Sequence, residues 1–132
     1  MVTAFLAAAA VLSASFNFAD RTPEQLVEEF AGDCLKDGRV VEMTDRQLTC
    51  ELNLTRTQKV NRLFMSFRQR NYTDQVRHIV TFTAIPAGQG SIGSMSERVE
   101  AQIGAQTRVV NLDMNRRDAS TVVMVNMGGT RN

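Results

Sequence analysis

The feature that most constrains the fold is a pair of capped amphipathic helices. In the first, "TPEQLVEEFAGDCLKDG", Thr22 can cap the helix, Pro23 suits its first position and Gln25 completes a capping box. Gly38 can end this helix in the left-handed conformation. An apolar stripe at helical spacing indicates the face that packs on other elements, and it consists of Leu26, Val27, Phe30, Cys34 and Leu35.

The second helix repeats this pattern 33 residues later, since Thr55 and Gln58 can form the same capping pair. Its apolar stripe consists of Val60, Leu63, Phe64 and Phe67. Strand-like sequence follows each helix. The chain therefore allows an α-β-β unit used twice, which buries two amphipathic helices on one face of an antiparallel sheet. Two generic amphipathic helices would give the same short match.

The strand-like segments have the alternating or β-branched character of an antiparallel sheet. "RVVEMTDRQLTCELNL" predicts two short strands around "TDRQ", and "VRHIVTFTAI" alternates a strongly apolar face with a mixed one. "TRVVNLDMN" and "STVVMVNM" predict two more strands, separated by a turn at "NRRDA", and "GGTRN" is typical of a frayed end. We predict an α+β fold, an antiparallel sheet with both helices on one face.

An apolar N-terminal segment, residues 1–19, precedes a single predicted domain at residues 20–132. The segment carries no charged side chain and has about the length of a signal peptide, but its alanines make a weak spanning helix. It resembles a bacterial lipoprotein signal in "LSAS", where Ser15 stands in place of the lipid-bearing cysteine. These features favour a removable export signal or a membrane-associated segment. The alternative is an ordinary N-terminal helix.

A glycine-rich stretch raises the alternative of a nucleotide-dependent enzyme. Gly88, Gly90 and Gly93 have the spacing G-x-G-x-x-G after a strand-like run, and Asp113 lies 20 residues further on, so the stretch resembles a Rossmann-type fingerprint. The preceding strand is too polar for the first strand of a buried parallel sheet. "SMSERVEAQI" also alternates like a strand. We therefore predict a hairpin connection that binds no phosphate.

The two cysteines and the single histidine offer little recognisable catalytic or metal-binding chemistry. Cys34 and Cys50 can form a disulfide in an exported chain if the first helix lies over the second strand of the following hairpin. Otherwise they are two buried thiols. His78 shares the apolar face of its strand, which indicates a structural histidine. No C-x-x-C pair or second histidine is present to form a zinc site, so we predict no metal or cofactor.

Charge is unevenly distributed between the helices, the first being acidic and the second basic. The basic residues of the second helix and its flank could form an anion or nucleic-acid face, and they are Arg56, Lys59, Arg62, Arg68 and Arg70. A solvated helix face is the alternative. The chain has a net charge of +1, no Trp and one Tyr, so the composition does not favour a polyanion partner or base stacking.

At 132 residues and 43% hydrophobic content, the chain can build one core without metals. We expect a non-enzymatic small domain of the envelope or the secreted fraction that binds a protein partner or assembles with itself. Its compartment would be the periplasm or the medium, and its N-terminal segment could associate with the membrane. The first alternative is a cytoplasmic nucleic-acid-binding module that uses the basic second helix. The second alternative is a nucleotide-binding enzyme at the glycine-rich stretch.

Overall fold

A computed structural model describes residues 14–112 and 127–131 of the chain. Within these residues it contains seven strands and two helices. In chain order these are β1 (Ala14–Phe18), α1 (Pro23–Asp37), β2 (Gly38–Met43), β3 (Gln47–Leu52), α2 (Arg56–Phe67), β4 (Val76–Ala87), β5 (Gly90–Ile103), β6 (Gln106–Asn111) and β7 (Thr130–Arg131). The order α1-β2-β3 followed by α2-β4-β5 matches the α-β-β unit expected from the sequence.

All the described strands belong to one antiparallel sheet in the order β2-β3-β4-β5-β1-β7, with β6 also paired to β5. Strand β5 organises this sheet. One of its edges pairs with β4 from end to end, and its other edge pairs with β1 near the start and with β6 near the end. The predicted α+β class with an antiparallel sheet is confirmed.

Both helices cover the same face of the sheet, as predicted. Phe30 of α1 stacks on Phe82 of β4, with ring centroids 4.8 Å apart and planes inclined by 16°. Leu63 and Phe67 of α2 pack near Val76, which lies on the same face of β4 as Phe82. Burial of the two helix stripes therefore accounts for the two-layer arrangement.

Helix α1 begins as predicted, because Thr22 and Gln25 form a reciprocal capping box. Its predicted stripe is one residue too wide, since Leu35 is 67% exposed. Leu35 lies about 100° around the helix axis from the buried Cys34 and points away from the sheet. The predicted left-handed end at Gly38 is wrong, because Gly38 is extended and starts β2. A Cβ there would lie 2.4 Å from the Glu51 carbonyl oxygen, so close approach of the backbone requires the glycine.

Helix α2 also begins with the predicted capping box, formed by Thr55 and Gln58. Only part of its predicted stripe is buried. Leu63 lies in the interior, whereas Val60 and Phe64 are each 46% exposed. The helix packs mainly on β4 and β5, and this narrow contact leaves one flank of the stripe in solvent.

The helix-covered face contains two separate hydrophobic cores. Counted over the described residues, the α1 core has thirteen buried members, among them Phe16, Phe18, Phe30, Leu48 and Phe82. The α2 core has five, and they are Leu63, Phe67, Val76, Val99 and Ala101. The two cores meet at a polar pair, His78 of β4 and Glu97 of β5, which divides the face into two unequal halves.

Strand β1 corrects the boundary drawn between the N-terminal segment and the domain. Ala14–Phe18 falls within residues 1–19, yet it pairs with residues 91–95 of β5. Phe16 and Phe18 are each 1% exposed and belong to the α1 core. The folded domain therefore includes this strand, and a cleavage that preserves the core has to occur before Ala14. Residues 1–13, on which the export prediction also depends, lie outside the described part of the chain.

The C-terminal predictions are confirmed in one strand and corrected in another. Strand β6 forms within "TRVVNLDMN", whereas Asp113, the "NRRDA" turn and most of "STVVMVNM" lie outside the described residues. Thr130–Arg131 is not frayed, because it pairs with β1 as β7. Arg21 also holds this end of the chain, since its guanidinium donates a hydrogen bond to the Met127 carbonyl oxygen.

Candidate functional site

A cleft of about 590 Å³ opens between α1 and α2 above the sheet. Its floor is apolar and is formed by Phe30, Val80, Met95 and the bonded cysteines Cys34 and Cys50. Its rim is polar and includes Asp33, Lys36, Asp37, Asn53, Gln58 and Arg62. Ligand sites commonly combine such a floor and rim at volumes of about 300–1,000 Å³. The cleft is therefore the candidate functional site.

The disulfide between Cys34 and Cys50 lies in the floor of the cleft, with an S–S distance of 2.02 Å and a Cα–Cα distance of 6.0 Å. It ties α1 to β3, so the predicted pairing and its geometric condition are both confirmed. The bond is buried, with the two residues 4% and 1% exposed. A disulfide that closes a loop of 16 residues stabilises a fold by about 3 kcal/mol, because it lowers the conformational entropy of the unfolded chain.

A polar triad of His78, Glu97 and Arg62 lies beside the cleft, and in it His78 is buried, whereas Glu97 and Arg62 are partly exposed and line the cleft. The Glu97 carboxylate is 2.7 Å from Nε2 of His78, and the side chains are 12% and 8% exposed. On the other side of the ring, Nε of Arg62 donates a hydrogen bond of 3.2 Å to Nδ1. Both ring nitrogens of His78 are therefore engaged, which supports the structural role predicted for this residue.

The triad also determines which proton the imidazole carries. An arginine side chain only donates hydrogen bonds, so Nδ1 of His78 has to present its lone pair to Arg62. The ring is then the neutral tautomer with hydrogen on Nε2, and it donates to Glu97. In this arrangement His78 has no free nitrogen with which to accept a proton from a substrate.

The sequence suggested a common face for five basic residues, but their contacts lie in different places. The Arg56 guanidinium stacks over the Tyr72 ring at 3.9 Å. Lys59 lines a second depression beside Glu51 and Arg77, Arg62 enters the cleft, and Arg68 ends α2 in the left-handed conformation with φ 55°. Arg70 is exposed after the helix. Whether these residues bind anions or nucleic acid stays a prediction.

The glycine-rich stretch forms a hairpin, as predicted, and not the strand-loop-helix of a dinucleotide site. Strands β4 and β5 pair in register up to Ala87 and Gly90, and Gly88 has the positive φ of 60° that the tight turn requires. Strand β5 starts earlier than its alternation indicated, so Gly90 and Gly93 lie within it. A Cβ on Gly93 would lie 2.9 Å from the Phe18 ring, so packing explains this glycine.

The face of the sheet opposite the helices carries an ion-pair network that sequence reasoning missed. Glu51 contacts Arg39 at 2.8 Å and Arg77 at 3.1 Å, and Glu100 contacts Arg98 at 2.7 Å and Arg77 at 3.5 Å. The hydrogen bond from Arg77 is the main cause that lowers the pKa of Glu51, with a further bond from Arg39. The alternation of β4 placed Arg77 on this face, but only the register between strands reveals its partners.

Comparison with known proteins does not assign this site. The chain was compared with protein-family models, with curated proteins and with solved structures, and it matches none of them. Within residues 14–112 and 127–131, no group of three or more His, Cys, Asp or Glu side chains could hold a metal ion. No helix in the same ranges is long and apolar enough to cross a membrane.

Proposed function

We propose that the chain is a non-enzymatic small domain of the cell envelope or the secreted fraction, and that it binds a protein partner through the cleft between α1 and α2. The observation that carries this proposal is the cleft itself, which has a polar rim and an apolar floor made rigid by a disulfide. A preorganised cleft of this kind loses little conformational entropy when it binds a partner.

The disulfide supports the proposed compartment. Structural disulfides persist in the periplasm and outside the cell, whereas cytosolic thiols are kept reduced. The apolar residues 1–13 would precede strand β1 as a removable or membrane-associated segment. The alternative compartment, the cytoplasm, predicts two free thiols in protein isolated from its native cells.

Binding rather than catalysis is supported by the state of the one histidine in the sequence. His78 is buried, and both its nitrogens are engaged by Arg62 and Glu97. The cleft rim presents opposite charges, since Lys36 pairs with Asp33 at 3.2 Å and Arg62 lies across from them. Such a rim suits a peptide segment that has an apolar anchor and polar neighbours.

Site-specific photo-crosslinking in the native cells tests the proposal. A photoreactive amino acid at Asn53, an exposed residue on the cleft rim, should give a covalent adduct of defined mass. The same amino acid at Gln89, exposed at the tip of the β4–β5 hairpin, is the matched control and should give none. The mass of the adduct distinguishes a second copy of the chain from a different protein.

Fractionation of the same cells tests the compartment. We expect the chain in the envelope or the medium, with no free thiol when it is unfolded without reductant.

Equal adducts from Asn53 and Gln89, or none from Asn53, would contradict a role for the cleft. A reduced chain in the cytoplasm would contradict the compartment and favour the cytoplasmic alternative.

A further inference from the structure

A second surface, separate from the cleft, lies along the outer flank of α2. Arg56, Val60 and Phe64 follow one another at intervals of four residues and so form a row along the helix, and Arg68, the left-handed C-cap, lies just beyond its end. Val60 and Phe64 are each 46% exposed, and the adjacent Met65 is 67% exposed. The row has an apolar centre and a cation at either end, and we call it the α2 row.

Among the described residues, no carboxylate forms an ion pair with the arginines of the α2 row. Helix α2 contains no Asp or Glu. Arg56 stacks on Tyr72, which leaves its charge in place, and neither Arg56 nor Arg68 forms an ion pair with a carboxylate of the described residues. Exposed apolar side chains next to arginines that have no carboxylate partner in the described ranges fit a surface whose outer layer is anionic and whose interior is apolar.

We infer that the α2 row docks on an anionic lipid surface. In this position Phe64, Val60 and Met65 enter the boundary between headgroups and acyl chains, while the arginines reach lipid phosphates. Arg56 and Arg68 are about 18 Å apart along the helix at the usual rise per residue, so they contact different headgroups. The surface does not overlap the cleft, so a partner and a membrane can be bound together.

Charge alone would also fit nucleic acid, but the apolar centre of the row distinguishes the two ligands. Phosphate backbones are bound by cations and hydrogen-bond donors. Exposed Val60, Phe64 and Met65 contribute neither. Nucleic-acid modules that use apolar side chains stack aromatic rings on bases, and here Phe64 stands among aliphatic neighbours. Lipid is therefore the occupant that uses both parts of the row.

Co-sedimentation of the full chain with vesicles tests the inference. One vesicle type is pure phosphatidylcholine, and the other contains phosphatidylcholine and phosphatidylglycerol in equal parts. We expect stronger binding to the anionic vesicles, and each arginine near such a surface contributes about fivefold to the partition coefficient. Arg68→Asn should remove about that factor, and Asn tolerates the left-handed backbone at this position.

Matched variants separate the α2 row from the rest of the chain. Met65→Ser should weaken binding to the anionic vesicles severalfold, whereas Leu35→Ser on the acidic α1 should not, although both residues are 67% exposed. Arg46→Gln removes an exposed cation in the turn between β2 and β3 and is the charge control for Arg68→Asn. All variants keep the same N-terminal segment, so its contribution to binding cancels in the comparison.

Three results would overturn the inference. The first is equal binding of the full chain to both vesicle types. The second is anionic binding that neither Arg68→Asn nor Met65→Ser reduces. The third is a loss of affinity for duplex DNA in Arg68→Asn while vesicle binding is unchanged, which would make α2 a nucleic-acid surface. None of these results depends on crosslinking at Asn53, so failure here is distinguishable from failure of the cleft proposal.

Discussion

The two helices begin alike and are buried very differently. Each starts with a threonine and glutamine capping box and carries an apolar stripe. Helix α1 packs on β2, β3, β4 and β5 over a core of thirteen buried residues, whereas α2 packs mainly on β4 and β5 over a core of five. A local pattern thus specifies a helix and its inner face, but the width of sheet beneath determines how much of that face is buried.

The same comparison extends to charge and covalent support. Helix α1 carries five acidic residues and one lysine, and a disulfide fixes it to β3. Helix α2 is cationic, has no disulfide and leaves Val60, Phe64 and Met65 exposed. We assign stability chiefly to the α1 half, and the proposed membrane docking to the exposed flank of α2.

Truncating one phenylalanine in each core should show the largest difference between the halves. Phe30→Ala should cost about 3–5 kcal/mol of unfolding free energy, because the residue stacks on Phe82 in the well-packed α1 core. Phe67→Ala should cost less, about 3 kcal/mol, although Phe67 is buried to the same degree. Denaturant unfolding measures both. The control is Glu28→Ala on the exposed side of α1, which should change the unfolding free energy by no more than about 0.5 kcal/mol. Equal losses of unfolding free energy in Phe30→Ala and Phe67→Ala would contradict the asymmetry between the two cores.

Removing the disulfide should weaken the α1 half by the next largest amount. Cys34→Ala combined with Cys50→Ala should cost about 3 kcal/mol and lower the melting temperature. Amide hydrogen exchange should accelerate more in α1 than in α2, because only α1 loses its covalent tie. Uniform acceleration across both helices would show that the two halves unfold as one unit.

Replacing His78 should destabilise the polar contacts where the two cores meet. His78→Leu should cost about 1–3 kcal/mol, because Arg62 loses its acceptor and Glu97 loses a donor in a buried place. In the parent protein, nitrogen NMR of the imidazole should show hydrogen on Nε2 and a lone pair on Nδ1. A ring protonated on Nδ1 would exclude the hydrogen bond from Arg62.

Replacing Glu51 should have the smallest effect on the free energy of unfolding, and this effect should depend on pH. Its folded pKa is lowered below the ordinary value of 4.5, so its contribution is present above about pH 4.5 and is lost as pH falls through the folded pKa. Glu51→Gln should therefore cost up to about 1 kcal/mol at neutral pH and nothing in strong acid. Unfolding curves of parent and variant that stay separated in acid would contradict this origin.

Much of the fold follows from local sequence signals. Both capping boxes, the two-helix layer, the hairpin at Gly88 and the pairing of Cys34 with Cys50 were predictable, because each depends on a short pattern or on one geometric condition. The position of β1 inside the sheet, between β5 and β7, was not predictable. An apolar strand that is buried in a sheet and an export signal share the same composition, and only its pairing with β5 distinguishes them.

The candidate site was less predictable than the fold. Arg62 was grouped with other basic residues by charge, yet the sheet register places His78 and Glu97 within its reach. His78 and Glu97 are far apart in the sequence, and no local spacing connects them. Exposure of Val60 and Phe64 likewise depends on where the sheet ends beneath α2, which the helix pattern does not encode.

The pairing of β1 with β5 has a consequence for the order of events during synthesis. Strand β1 is synthesised first among the described elements, and its partner at residues 91–95 follows only after both helices and three further strands. Until then Phe16 and Phe18 have no sheet to join, so the growing chain leaves both side chains exposed. The α1 core therefore cannot close until residues 91–95 have been synthesised.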